Sequence, residues 1–306
     1  MQAGLIAATE ALADGSLSRR DLMRSYTKVH RNVYARTDVE LTALDRAHAA
    51  WLWSGRRAIL VGHSASAQLG SRWIPVDAPV ELARSRRPGA PGIKVRSGEI
   101  RDDEVCTVGC INCTTPARTA YDLGKRLPLE TAAIRIDALL NATKASILQV
   151  ESLALRYPGA RGIRHLRTAL DLADAGAESP QETRLRLLLV RSGLPRPVTQ
   201  IPVTNDWGRV ASRIDMGWPE CMVGAEYDGQ HHWTDPAGHG ATTGGISPLT
   251  GHRNARLFTA LLDERVQRRC ARRRQIKCKP EAGRRPAGTS SSSTKTSATR
   301  PTRQSC

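Results

Sequence analysis

Asp215, Glu226 and Asp228 sit in or beside strand-like apolar runs, where a carboxylate without a partner is costly. The runs are Val198 to Val203, Arg209 to Asp215 and Cys221 to Tyr227, with Trp218-Pro219-Glu220 as a turn before the last. Side chains alternate across a sheet, so Glu226 and Asp228 project to one side while Val223 and Ala225 face the other. The turn brings Asp215 opposite or diagonal to Glu226. Carboxylates converging at one sheet end suit Mg2+ or Mn2+, which prefer oxygen ligands and take the rest from water and substrate phosphate. The chemistry such a site supports is phosphodiester hydrolysis without a covalent intermediate, with the cation lowering the pKa of a bound water and offsetting charge on the scissile phosphate.

A further acid, Glu182, lies in the helix that begins Ser179-Pro180-Gln181-Glu182, carries Leu185, Leu188 and Leu189 on one face and ends at Gly193. Plainer roles compete. Ser179 with Glu182 has the spacing of a capping box, with Pro180 at the first helical position. Asp228-Gly229 is a common turn dipeptide, and His231-His232 fits a polar loop. Cys106, Cys110 and Cys113 have the C-x3-C-x2-C spacing used to hold an iron-sulfur cluster, and thiolates also bind zinc. Yet Val105 to Val108 and Ile111 to Thr114 read as short strands around Gly109, and buried strand cysteines need no metal.

The elements that carry these residues follow from period and punctuation. Leu5 to Leu12 reads as a short helix ended by Gly15, and Ser18 caps a second helix through about Tyr26. That second helix exposes Arg19, Arg20 and Arg24; Lys28, His30 and Arg31 follow before strand-like Val33-Tyr34-Ala35. A recognition helix followed by a basic hairpin, or wing, places Arg19, Arg20, Arg24, Lys28 and Arg31 along DNA phosphates. Solvated cations on a helix face are the alternative. From residue 79, strands at Val80 to Ala83, Ile93 to Val95 and Val105 to Val108 alternate with Pro and Gly breaks, and helices take over from Pro116. Asp174 to Ala177 marks the next boundary. The expected organisation is a winged-helix-like module at 1–78, a mixed middle region with a helical linker at 79–174, a nuclease-like core at 175–236 and a basic low-complexity tail at 237–306. The fold class is α/β, α+β overall.

Composition bounds the function classes. A chain of 306 residues with 40% hydrophobic content can build more than one core. No run of about 18 apolar residues occurs, and Glu10 and Asp14 interrupt the first segment where a signal peptide needs basic and then apolar stretches. Seven cysteines at irregular spacing read as reduced thiols, so the expected location is the cytoplasm, with no membrane partner. The net charge of +17 is unevenly spread: residues 237–306 hold 12 Arg and 3 Lys against Asp263, Glu264 and Glu281. Most of the basicity therefore says little about a folded binding face.

Two resemblances sharpen these expectations. The run from Ala11 to Ala35, ending Val29-His30-Arg31-Asn32-Val33-Tyr34-Ala35, resembles the N-terminal module of abortive-infection antitoxin-type regulators. The likeness continues through Ala47 to Leu52, Gly62-His63-Ser64-Ala65-Ser66-Ala67-Gln68-Leu69-Gly70 and Thr114 to Leu123. Over 179–235, the order helix-Glu, strand-Asp, Glu-x-Asp-Gly resembles PD-(D/E)XK nucleases, most closely their very-short-patch-repair-like branch. That resemblance implies Asp215 and Glu226 as metal ligands, Glu182 as an accessory acid, Asp228 in the lysine position, and His231 or His232 as proton carrier or phosphate contact. After Asp235 the sequence departs from the pattern. Gly238 to Gly245, a helical stretch around Arg256 to Arg268 and a Ser/Thr/Arg tail replace the expected helix and apolar strand, which predicts an incomplete sheet and a disordered tail. The implied activity is metal-dependent cleavage of DNA. The rivals are a non-catalytic, antitoxin-like DNA-binding regulator and an interaction protein with no affinity for nucleic acid.

Overall fold

Short polar side chains start the main helices. Ser18, Thr42, Thr115, Ser146 and Ser179 each accept a hydrogen bond from the backbone N–H three residues on, and Pro116 and Pro180 take the first helical position of theirs. The computed structural model describes residues 4–84, 89–204, 207, 209–221 and 223–227, and the strand backbone at 246–248 and 255–259. The chain forms two units, Met1–Leu261 and Leu262–Cys306, the second lying outside the described residues. The fold is α/β overall, with three sheets among the described residues.

The first sheet belongs to a strand, helix, helix, hairpin arrangement: β1 (Ile6–Ala7), α1 (Ala8–Ala13), α2 (Arg19–Ser25), β2 (Tyr26–His30) and β3 (Val33–Arg36). Its order is β1-β3-β2, all antiparallel. Two local expectations are corrected here. Ile6 and Ala7 pair with Tyr34 and Val33 instead of opening the first helix. Tyr26 leaves the second helix to open β2 opposite Arg36. In both places pairing with β3 outweighs local helical pattern. The wing's turn is tied down, since Asn32, in the left-handed region at φ 66°, accepts from Thr9 N at 2.8 Å and donates to Thr9 Oγ1 at 2.7 Å.

The middle region follows: α3 (Ala43–Trp53), β4 (Ile59–Leu60), α4 (Gly62–Gln68), β5 (Val80–Ala83), β6 (Ile93–Arg96), β7 (Val105–Val108) and β8 (Ile111–Thr114). These strands make a mixed sheet in the order β6-β5-β4-β8-β7, with β4 parallel to β8 and β5 parallel to β6. Gly62 is required twice over. Its φ is +54°, and a Cβ there would stand 1.8 Å from Glu81 Oε2. Helices α5 (Pro116–Arg126), α6 (Leu129–Thr143), α7 (Ile147–Ala154) and α8 (Ile163–Leu172) then pack around Tyr121, Leu123, Ile136, Leu139, Leu140 and Leu166.

The last part is α9 (Pro180–Arg191) on a sheet of β9 (Val198–Thr204), β10 (Val210–Trp218), β11 (Val223–Tyr227), β12 (Ile246–Pro248) and β13 (Ala255–Thr259). The strand order is β12-β13-β11-β10-β9, antiparallel throughout. Leu185 and Leu189 of α9 pack on Met216 and Ala225, with Trp218 and Tyr227 at the margin. Two expectations are corrected here. Ala255–Thr259 is a strand paired along β11 and not the start of a helix, so the sheet gains strands from the segment expected to be a disordered tail. Pairing with β11 outweighs the local helical pattern of that segment.

Candidate functional site

Asp215 and Glu226 are brought together by strand register. The β10–β11 ladder runs Trp218↔Val223, Gly217↔Gly224, Met216↔Ala225, and one further step sets Asp215 across from Glu226. Met216 and Ala225 face α9, so alternation turns Asp215 and Glu226 together toward the other side of the sheet. Both are half-buried. The Asp215 carboxylate accepts the Tyr227 backbone N–H at 2.8 Å, which fixes it against the neighbouring strand.

Glu182 lies on α9, the helix packed on the opposite face of the sheet, within electrostatic reach of Asp215. Burial raises its pKa above the usual carboxylate range, opposed by hydrogen bonds from Glu178 and Ser179 and reinforced by the negative charges of Asp215 and Glu178. Its carboxylate accepts from Glu178 N at 2.9 Å and lies 3.5 Å from Gln200 Nε2. The capping-box reading is thus half right: Ser179 caps Glu182 N, but the Glu182 side chain reaches the residue before the cap. Asp228, His231 and His232 lie outside the described residues.

Two cross-strand carboxylates match what Mg2+ takes from a protein when water and phosphate fill the remaining positions. The charge of Asp215 reaches Glu182 through the sheet and helps to raise its pKa. Among the described residues no three His, Cys, Asp or Glu side chains are grouped to hold a metal ion.

The helix that presents Glu182 is held by a network sequence reasoning missed. Arg186, Asp137 and Thr183 are each about 1% exposed. Arg186 Nη2 meets Asp137 Oδ2 at 2.5 Å, Thr183 Oγ1 donates to the same oxygen at 2.8 Å, and Asp174 N donates to Asp137 Oδ1 at 2.7 Å. Burial nevertheless pushes the Asp137 pKa up to about 6, against the pull of Arg186 and the hydrogen bonds. The signal in the sequence was an acid inside the buried run from Ile134 to Leu140, but its partner is 49 residues away. Asp174 to Ala177 is therefore a packed connection.

The five predicted DNA-contacting cations are all exposed. Arg19, Arg20 and Arg24 are exposed on α2, Lys28 is exposed on β2 and Arg31 on the turn into β3. Only a 3.9 Å contact between Arg24 and Asp21 engages any of them in an ion pair among the described residues. His30 is half-buried beside Trp53, where burial and then Arg46 lower its pKa.

Cys106 and Cys113 are cross-strand partners on β7 and β8 with sulfurs 3.7 Å apart, and Cys110 is exposed in the turn between them. Burial, then neighbouring Cys106, pushes the Cys113 thiol up to about 12, which keeps it protonated. This is the strand-cysteine arrangement.

Two uncharacterized proteins of Mycobacterium tuberculosis, from different strains, are 33% identical to the chain over 124 residues, covering 40% of this chain and 45% of each relative. The chain thus spans less than half the length of the curated relatives it matches. No family model matches it, and no solved structure does. No helix among the described residues is long and apolar enough to cross a membrane. What the chain is similar to is a pair of proteins whose descriptions state no activity.

Proposed function

We propose that this chain acts on DNA, with a winged-helix-like module that binds duplex and a PD-(D/E)XK-like domain that hydrolyses the phosphodiester backbone with Mg2+ or Mn2+. The observation that carries the reading is the strand register that sets Asp215 across from Glu226 at the end of a sheet packed on the Glu182 helix. Asp215 and Glu226 would hold the cation, which when bound activates water and offsets phosphate charge. Glu182, whose pKa is raised by burial and by the charge of Asp215, would be the accessory acid on the first helix that the resemblance implies. By the same resemblance Asp228 would occupy the lysine position, a departure from the usual motif, and His231 or His232 would be a proton carrier or phosphate contact. Reduced cysteines and a DNA substrate fit work in the cytoplasm.

A second reading has its own support. The exposed cations of α2 and the wing need no catalytic site, and a non-catalytic, antitoxin-like regulator would use them alone.

The test compares wild type with a variant carrying Asp215→Ala and Glu226→Ala, both shown to be folded, on supercoiled plasmid with Mg2+, Mn2+ or EDTA. Metal-dependent nicking that the variant loses by a hundredfold or more is expected. Equal background from both, with duplex binding retained, moves the assignment to the regulator.

A further inference from the structure

Met23 is 82% exposed at the centre of the cationic face of α2. At about 100° per residue, it lies about 40° round the helix from Arg19 and about 60° from Arg20. Arg24 continues the same face, while Leu22 turns into the core at 7% exposure. A single exposed methionine needs no explanation by itself. Here the apolar side chain stands between Arg19 and Arg20 round the helix, about 100° from the buried Leu22, and the exposed Lys28 and Arg31 follow on β2 and the turn after it.

Resting on the DNA reading above, we propose that Met23 determines sequence specificity by contacting the C5-methyl group of a thymine in the major groove. Phosphates attract the arginines whatever the sequence. The thymine methyl is the apolar group that the major-groove edges of the bases offer, and an apolar side chain held among phosphate-binding cations is brought to that depth by them. Met23 thus supplies what Arg19, Arg20 and Arg24 lack, a contact that differs between thymine and cytosine. The flexible thioether adapts to the methyl without a hydrogen bond to satisfy.

The experiment selects duplexes bound by the full chain from a random library without divalent cation, then replaces single thymines in the selected site with deoxyuridine, which removes only the methyl group. Wild type is expected to lose about fourfold in affinity at one position, the equivalent of one buried methyl. Met23→Ala is expected to bind the thymine and uracil probes equally, and Met23→Leu to restore a difference. Equal binding of thymine and uracil probes by wild type, or selection of no preferred sequence, overturns the role of Met23 and leaves duplex binding standing. Absence of duplex binding even at low salt overturns the DNA reading together with it.

Discussion

Single residues in this chain carry charge in places where position decides its effect. Glu81 is 3% exposed; burial raises its pKa, but the His63 side chain, the His63 backbone N–H and Arg96 together bring it down to about 2. Its folded pKa therefore lies below its unfolded value of 4.5. The contribution to stability is complete above about pH 4.5 and is lost as pH falls toward 2, on the order of 3 kcal/mol at full ionisation. Glu81→Gln should flatten the acid limb of stability between those pH values in urea titrations. An unchanged acid limb would show that Glu81 is not held by these partners. Asp215 and Glu226 were legible because acids within apolar strands stand out without any knowledge of neighbours. Asp137 was not, because its meaning depends on Arg186, which no local pattern links to it.

At the scale of elements, α9 is the piece on which the candidate site depends, and its attachment can be tested. Arg186→Leu breaks a buried ion pair and leaves Asp137 behind, so a loss of about 3–5 kcal/mol in chemical denaturation is expected. The loss should shrink as pH is lowered toward the range where Asp137 takes up a proton, about 6 with its partner in place. A pH-independent loss would assign the effect to packing alone. Ser179→Ala removes the cap on Glu182 N and should cost about 1 kcal/mol, read in the same titration. Elements with strong punctuation were readable: β5, β7 and β8 lie where apolar runs between Gly and Pro breaks place them. The misread ones, β1, β2 and β13, are short strands whose state is decided by a partner strand and not by their own residues. Part of the site escaped for the same reason, since Glu182 is positioned by Glu178 and Gln200 and not by the capping box its spacing implied.

Across the whole molecule, net charge is a poor guide to binding, because most of the +17 belongs to residues 237–306. The wing gives a cleaner measure. Each phosphate contact adds about 0.9 to the slope of log affinity against log salt. Lys28→Ala with Arg31→Ala should therefore make that slope shallower by about 2, whatever the tail contributes. An unchanged slope would place duplex contacts elsewhere on the chain. The network under α9 constrains the molecule in another way. Asp137 is on α6 and Arg186 on α9, so their pairing spans the joint between the helical region and the candidate catalytic sheet. A recombination that exchanged the sheet and its helix for those of a distant relative would bring in a guanidinium without its carboxylate, or strand the carboxylate without its guanidinium. The two halves are thereby bound to one inheritance, and in descendants that part them Asp137 and Arg186 should change together.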